Sequence, residues 1–296
     1  TTTLAGAGTV TNSGSFTLTS ATLDATGDAV FANTGFANLS IGAGGNLDVD
    51  LNNDGTVQIA EGGSVGGTLQ NGSGGSVNLD GSVGGNLSNA GTVDLSGSVA
   101  GTLGNTGMLT VDGASTVTGT LTNAGSMFVN DTLAHGNLTN SASGPAWSDT
   151  MLVTDAVLRV SGSGALTSGT LTNSSSIGLS DGATITSAVI NSGTIIADGN
   201  VTGAGDFTHQ TGAILDLGDD AGDDVFVITG DAVLNGTIEL DITLEGEELV
   251  GDQIQVAGAV SGNATFNFNL TDADAVDLLG TVNVLSYGSG QLDSYS

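Results

Sequence analysis

Asn71-Gly-Ser-Gly-Gly-Ser-Val-Asn-Leu-Asp-Gly-Ser-Val-Gly-Gly-Asn-Leu-Ser-Asn89 is followed by Ala90-Gly-Thr-Val-Asp-Leu-Ser-Gly-Ser-Val-Ala-Gly-Thr-Leu-Gly-Asn105, and the two say the same thing. Each runs Asn, Gly, Val-x-Leu, Gly-Ser-Val, Leu-x-Asn. Working outward, the closing Asn recurs at Asn12, Asn33, Asn53, Asn71, Asn89, Asn105, Asn123, Asn140, Asn173 and Asn191. Most neighbours stand 16–21 residues apart. The one longer gap, 33 residues from Asn140 to Asn173, is taken as two units with Asp155 standing in for a missing Asn. A fixed period near this length marks a solenoid.

The apolar residues keep fixed offsets from the marker. Val10, Phe31, Leu51, Leu69, Leu87, Leu103, Leu121, Leu138, Leu171 and Val189 lie two before it. Pairs such as Val93/Leu95 and Leu109/Val111 lie four and six after it. Alternation at spacing two is a strand with one buried face, and no stretch sustains helical spacing. A unit therefore holds two or three short strands, none able to bury a core alone. Stacking the units about 4.8 Å apart buries continuous columns of Val, Leu and Ile. The expected fold is all-β, a right-handed parallel β-helix of about 17–21 residues per coil with a C-terminal β cap. The right hand follows from the absence of a strict hexapeptide period and from a resemblance given below. Asn53, Asn71, Asn89, Asn105, Asn123, Asn140, Asn173 and Asn191 are read as an internal ladder at one corner, stacked amides bonding from coil to coil.

Residues 1–205 form the shaft on this reading, with an irregular coil near 141–156. There the only Pro and the only Trp, Pro145 and Trp147, sit together in a candidate contact loop. From about residue 206 the alternating runs lengthen, as in Thr237-Ile-Glu-Leu-Asp-Ile-Thr-Leu244. Residues 206–296 are expected to form larger coils and a hairpin cap, because a bare solenoid end exposes strand edge and core.

Composition narrows the function classes. Asp plus Glu number 31 against a single Lys or Arg, a net charge of −30. Such a surface repels nucleic acid, anionic membranes and polyuronates, attracts divalent cations, and opposes edge-to-edge aggregation. Cysteine is absent, so the fold uses no disulfide. No apolar run approaches the roughly 18 residues of a membrane-spanning helix. The chain opens on the repeat pattern at Thr1-Thr2-Thr3-Leu4 without a secretory signal, as expected of a processed or trimmed product.

Few residues point to chemistry. Asp216, Asp219, Asp220, Asp223 and Asp224 crowd one glycine-containing turn, a set of hard oxygen ligands suited to Ca²⁺. His135 and His209 stand in no zinc spacing. Asp48 and Asp50 flank an inward Val49 and would face outward from one strand, roughly 7 Å apart, which glycoside hydrolysis permits. That makes a β-helix glycoside hydrolase one alternative. Paired threonines such as Thr120/Thr122, Thr170/Thr172 and Thr184/Thr186 make an ice-binding face another.

The C-terminal stretches Gly222-Asp-Asp-Val-Phe-Val-Ile-Thr-Gly-Asp-Ala-Val-Leu-Asn-Gly-Thr-Ile-Glu-Leu240, Gly251-Asp-Gln-Ile-Gln-Val-Ala-Gly-Ala-Val-Ser-Gly262 and Val282-Asn-Val-Leu-Ser-Tyr-Gly-Ser-Gly290 resemble the end of a bacterial autotransporter passenger. The Asn-x-Gly repeats resemble the passenger's shaft. The resemblance implies a β-helix with an autochaperone-like terminal region, exported to the outer surface of a Gram-negative bacterium or secreted. It does not imply an enzyme, because passengers include adhesins, proteases and inert stalks. No barrel sequence lies within these 296 residues, so this chain by itself is not expected to insert in a membrane. The expected role is a non-enzymatic stalk, adhesin, or fibre or surface-layer subunit. It would bind divalent cations and associate end to end with itself or with other cell-surface components.

Overall fold

A computed structural model describes residues 2–5, 8–26, 28–142, 157–167, 169–203, 205–217, 222–245, 248–270 and 283–290. Every regular element among them is a strand. The strands stack as a parallel β-helix, in two compact units, Thr1–Leu138 and Thr139–Ser296.

In the N-terminal unit each coil carries three strands. One coil is Ser64–Val65, Leu69–Asn71 and Ser76–Leu79; the next is Ser82–Val83, Leu87–Asn89 and Thr92–Leu95. Successive coils pair in parallel and in register. Leu23, Leu47, Val65, Val83, Val99 and Val117 form one column. Phe31, Leu51, Leu69, Leu87, Leu103 and Leu121 form a second. Leu39, Val57, Val77, Val93, Leu109 and Met127 form a third, with Ile41, Ile59, Leu79, Leu95, Val111 and Val129 beside it. All these side chains are buried. At about 1.5–3 kcal/mol per buried aliphatic side chain, each added coil supplies a similar increment of stability.

Glycine at the corners answers to close stacking more than to backbone handedness. A Cβ at Gly107 would run into the Gly91 carbonyl oxygen, and one at Gly125 into that of Gly107. Neither has a positive φ. This is why Asn is followed so often by x-Gly: the chain turns there while lying directly on the turn below.

The C-terminal unit uses the same plan on a larger scale. Asn200–Gly203 pairs in parallel with Val225–Ile228, which pairs in turn with Gln253–Ser261. Thr237–Glu245 folds back on Glu248–Gly251 as an antiparallel hairpin, from Ile242↔Gly251 to Glu245↔Glu248. Thr265–Leu270 pairs with Thr237–Ile242 and continues its core columns, Leu240 onto Phe268 and Ile242 onto Leu270. Phe268 and Leu270 are exposed all the same, because they lie on the last strand of that sheet among the described residues.

Candidate functional site: an amide ladder and acidic corners

The recurring Asn side chains point inward and are almost wholly buried from Asn33 onward. In the N-terminal unit each carboxamide nitrogen donates to the oxygen of the next. Asn12 Nδ2 donates to Asn33 Oδ1, Asn33 to Asn53, Asn53 to Asn71, Asn71 to Asn89, Asn89 to Asn105 and Asn105 to Asn123, every step at 2.8 Å. The same nitrogens also serve turn carbonyls, as Asn89 Nδ2 does with Met108 O at 2.8 Å. The oxygens also accept turn amides, as Asn89 Oδ1 does from Gly91 N at 3.1 Å. One side chain thus satisfies backbone groups that the strand ladders leave over, which burial makes costly to leave bare.

In the C-terminal unit Asn140 Nδ2 donates to Asn173 Oδ1 at 2.9 Å, and Asn173 to Asn191 at 2.8 Å. This corrects the expectation of an extra unit in the gap of 33 residues. Asn140 and Asn173 are adjacent rungs, so the intervening sequence adds length without adding a rung. Asp155, Pro145 and Trp147 lie outside the described residues.

The last rung is a histidine. His209 is fully buried, with Nδ1 3.2 Å from Asn191 Nδ2 and Nε2 3.0 Å from Thr237 O. The Asn191 amide is a donor and the Thr237 carbonyl an acceptor. The neutral ring therefore carries its proton on Nε2. Phe207 stacks on it at 5.8 Å between ring centroids. Burial lowers its pKa to about 4, partly opposed by the bond to Thr237. His135, in the N-terminal unit, is also buried and has its pKa lowered by desolvation; its Nδ1 lies 2.9 Å from Gly136 O.

A second coil-to-coil device consists of aspartates at corners. Asp50 Oδ1 accepts the Thr68 N–H at 2.7 Å, Asp181 Oδ1 that of Asn200 at 2.8 Å, and Asp231 Oδ1 that of Ala259 at 2.8 Å. Asn86 Oδ1 does the same for Thr102 at 2.8 Å. Asp252 is the buried extreme: Oδ1 accepts the Asp224 N–H at 3.0 Å and Oδ2 that of Asp241 at 2.6 Å. Part of the chain's acidity is therefore structural. Strand periodicity carries no sign of this role, because the N–H accepted by Asp50, Asn86, Asp181 and Asp231 lies 16–28 residues away in another coil.

Three of the five candidate Ca²⁺ ligands, Asp216, Asp223 and Asp224, fall within the described residues. Asp219 and Asp220 lie outside the described residues. Asp216 is buried in register between Ile196 and Glu239. Asp223 is exposed, while Asp224 is buried with Oδ1 accepting the Gly199 N–H at 2.7 Å. Among the described residues no three His, Asp or Glu side chains are grouped to hold a metal ion.

Asp48 and Asp50 do face outward around a buried Val49. With Asp28, Gly66 and Gly67 they line a groove of about 470 Å³. Its lining contains no aromatic ring. The threonine columns are broken, since Thr122 pairs with Gly104 and Thr172 with Ile190. Arg159 lies half-buried on Leu158–Val160, opposite Gly178. Among the described residues no helix is long and apolar enough to cross a membrane, which leaves strands unaddressed. No protein-family model matches the chain, and no curated protein matches its sequence.

Proposed function

We propose that the chain is an extracellular structural β-solenoid of autotransporter-passenger type, acting as a surface stalk or as a subunit of a fibre or surface layer. The observation that carries this reading is the buried amide ladder. It commits the carboxamide repeated through the regular coils to holding coil upon coil, and it gives no substrate access to those groups. The buried histidines and Asp252 are likewise spent on backbone partners, which supports a non-catalytic role. Divalent cations would screen a chain of net charge −30. Self-association would proceed through the solenoid ends, where strand edges and the exposed Phe268 and Leu270 offer backbone and apolar surface.

Electron microscopy of the purified chain, with calcium and then with chelator, tests this. Uniform fibres that shorten in chelator support an assembly protein whose contacts need cation screening. Isolated rods unaffected by either condition remove the fibre and leave a monomeric stalk. A second reading draws on the groove holding Asp28, Asp48 and Asp50, where a glycoside hydrolase would have to place its carboxylates. Release of reducing ends from an extracellular polysaccharide, lost in Asp48→Asn or Asp50→Asn, would replace the structural reading with that one.

A further inference from the structure

We propose that His209 is an acid-released latch. Its neutral ring closes the amide ladder of the C-terminal unit, and uptake of one proton at Nδ1 opens the ladder at that rung. The geometry allows a single arrangement of hydrogens. Asn191 Nδ2 can only donate, and it faces Nδ1 at 3.2 Å. Asn191 cannot turn its amide over to accept instead. Its Oδ1 already accepts from Asn173 Nδ2 at 2.8 Å and from Gly193 N at 3.2 Å, while Nδ2 also serves Ile214 O. A flipped Asn191 would set donor against donor at Asn173 and deprive both backbone groups. A proton on Nδ1 therefore puts two N–H groups face to face in a dry site, and the rung parts.

Among the described residues no charged side chain bonds the ring to hold the imidazolium. Among the described residues, Asn191 approaches the ring from strand Ala188–Asn191, Phe207 from its own strand, and Thr237 O from Thr237–Glu245. Leu234 is its register partner on Ala232–Leu234. Asp216 on Ile214–Asp216 and Asp241 on Thr237–Glu245 are buried but make no bond to the ring, and the other acids nearby accept from donors of their own. Asp206 Oδ1 accepts the Asp231 N–H, Asp231 Oδ1 that of Ala259, and Glu239 Oε1 that of Asn267 Nδ2. Gly236 makes room for the ring, since a Cβ there would strike Nε2 and Cδ2. The ring fills its site to contact, and the lowered pKa follows from the same burial.

The released strands are identifiable. The Gln210 N–H donates to Asn191 O at 2.9 Å, and the Asn235 N–H to His209 O at 2.8 Å. These amides report the coils on either side of the latch. Two measurements on the ¹⁵N-labelled full chain test the proposal. The first is the ring-nitrogen spectrum near neutral pH. His209 is expected with its proton on Nε2, and His135, whose Nδ1 faces the Gly136 carbonyl, with the opposite tautomer. The second is hydrogen exchange corrected for intrinsic chemistry. The opening constants at Gln210 and Asn235 are expected to rise about tenfold per pH unit from the ordinary histidine pKa of roughly 6.5 downward. The rise ends as the ring's own pKa of about 4 is reached. Ala90 and Thr106, which donate to Asn71 O and Asn89 O in the N-terminal unit, are expected to stay level. In His209→Asn the rise should vanish. A proton found on Nδ1 at neutral pH, a level profile at Gln210 and Asn235, or an undiminished rise in His209→Asn would each overturn the latch. If that variant does not fold, the tautomer and the wild-type profile decide alone.

Discussion

Replacing Asn89 by Leu and by Asp separates hydrogen bonding from simple filling of the corner. The side chain is 1% exposed. It makes four hydrogen bonds: to Asn105 Oδ1 and Met108 O through Nδ2, and from Asn71 Nδ2 and Gly91 N through Oδ1. Leucine has the same branching and fits the column. It leaves the Gly91 N–H, the Met108 carbonyl and the Asn105 oxygen each short of a partner. At about 1–3 kcal/mol per buried unsatisfied group the loss is roughly 3–9 kcal/mol. Burying leucine returns about 1.5–3 kcal/mol. A net loss near 4 kcal/mol is expected, enough to raise local opening about 10³-fold.

Asn89→Asp keeps the accepting oxygen and turns the donating nitrogen into a second oxygen. That oxygen would face Asn105 Oδ1 and Met108 O, both acceptors now 2.8 Å away. At neutral pH the introduced carboxylate is buried and repelled, so its folded pKa lies above the ordinary value of about 3.9. The sign follows from linkage. Its protonated form can donate to one of the two oxygens. The folded state is therefore favoured by protonation, fully so below about pH 3.9, and that gain is lost as pH rises through the folded pKa. Asn89→Asp should be the weaker variant at pH 7, and its deficit relative to Asn89→Leu should shrink as the solution is acidified. Hydrogen exchange at Gly91 and urea unfolding of both variants across pH measure this. Equal stability of wild type and Asn89→Leu, or an Asn89→Asp deficit independent of pH, would refute the ladder as a source of stability.

Three further outcomes are expected. Gly107→Ala should cost about 1–3 kcal/mol in urea unfolding, because its Cβ meets the Gly91 carbonyl, while Gly104→Ala, with open space around it, should cost nothing. Asp252→Ala should cost roughly 2–4 kcal/mol and raise exchange at the Asp224 and Asp241 amides it now holds, and a normal exchange rate there would exclude the capping role. Leu103→Ala, in the middle of a fully buried column, should cost about 2–5 kcal/mol, whereas Phe36→Ser at an exposed turn should leave the melting temperature where it is.

The columns of the core were legible because strand periodicity and repeat period act together. An apolar residue two before each Asn, and pairs four and six after it, fix both which face is inward and which residues stack. The inward Asn followed from the same period. Three features did not emerge. Length alone does not tell one rung interval from two, and across 33 residues Asn140 bonds directly to Asn173. His209 changes residue type at a rung, although the signal was present: it stands 18 residues after Asn191, with an apolar Phe207 two before it, as at the other rungs. The corner aspartates look like solvated surface charge, since the N–H that each accepts lies 18–28 residues away in another coil.

The change of residue at 209 has a physical reason in the change of coil. Up to Asn191 the spacing between rungs within a regular coil is 16–21 residues, and amide finds amide at 2.8–2.9 Å. Beyond it the coils lengthen: Asp206 and Asp231 stand 25 residues apart, and Asp231 and Ala259 28. At the next coil the rung position holds Leu234, which offers no acceptor. An asparagine at 209 would find no acceptor at Leu234 and would end the ladder on a bare N–H. Imidazole solves both problems, taking the Asn191 proton on one nitrogen and reaching with the other, across the ring, to the Thr237 carbonyl in the following strand. It is an adaptor between a carboxamide column and an aliphatic one. The cost of using it is a titratable group at the joint, so the place where the regular solenoid passes into its larger terminal coils is also where acid should open the C-terminal unit first.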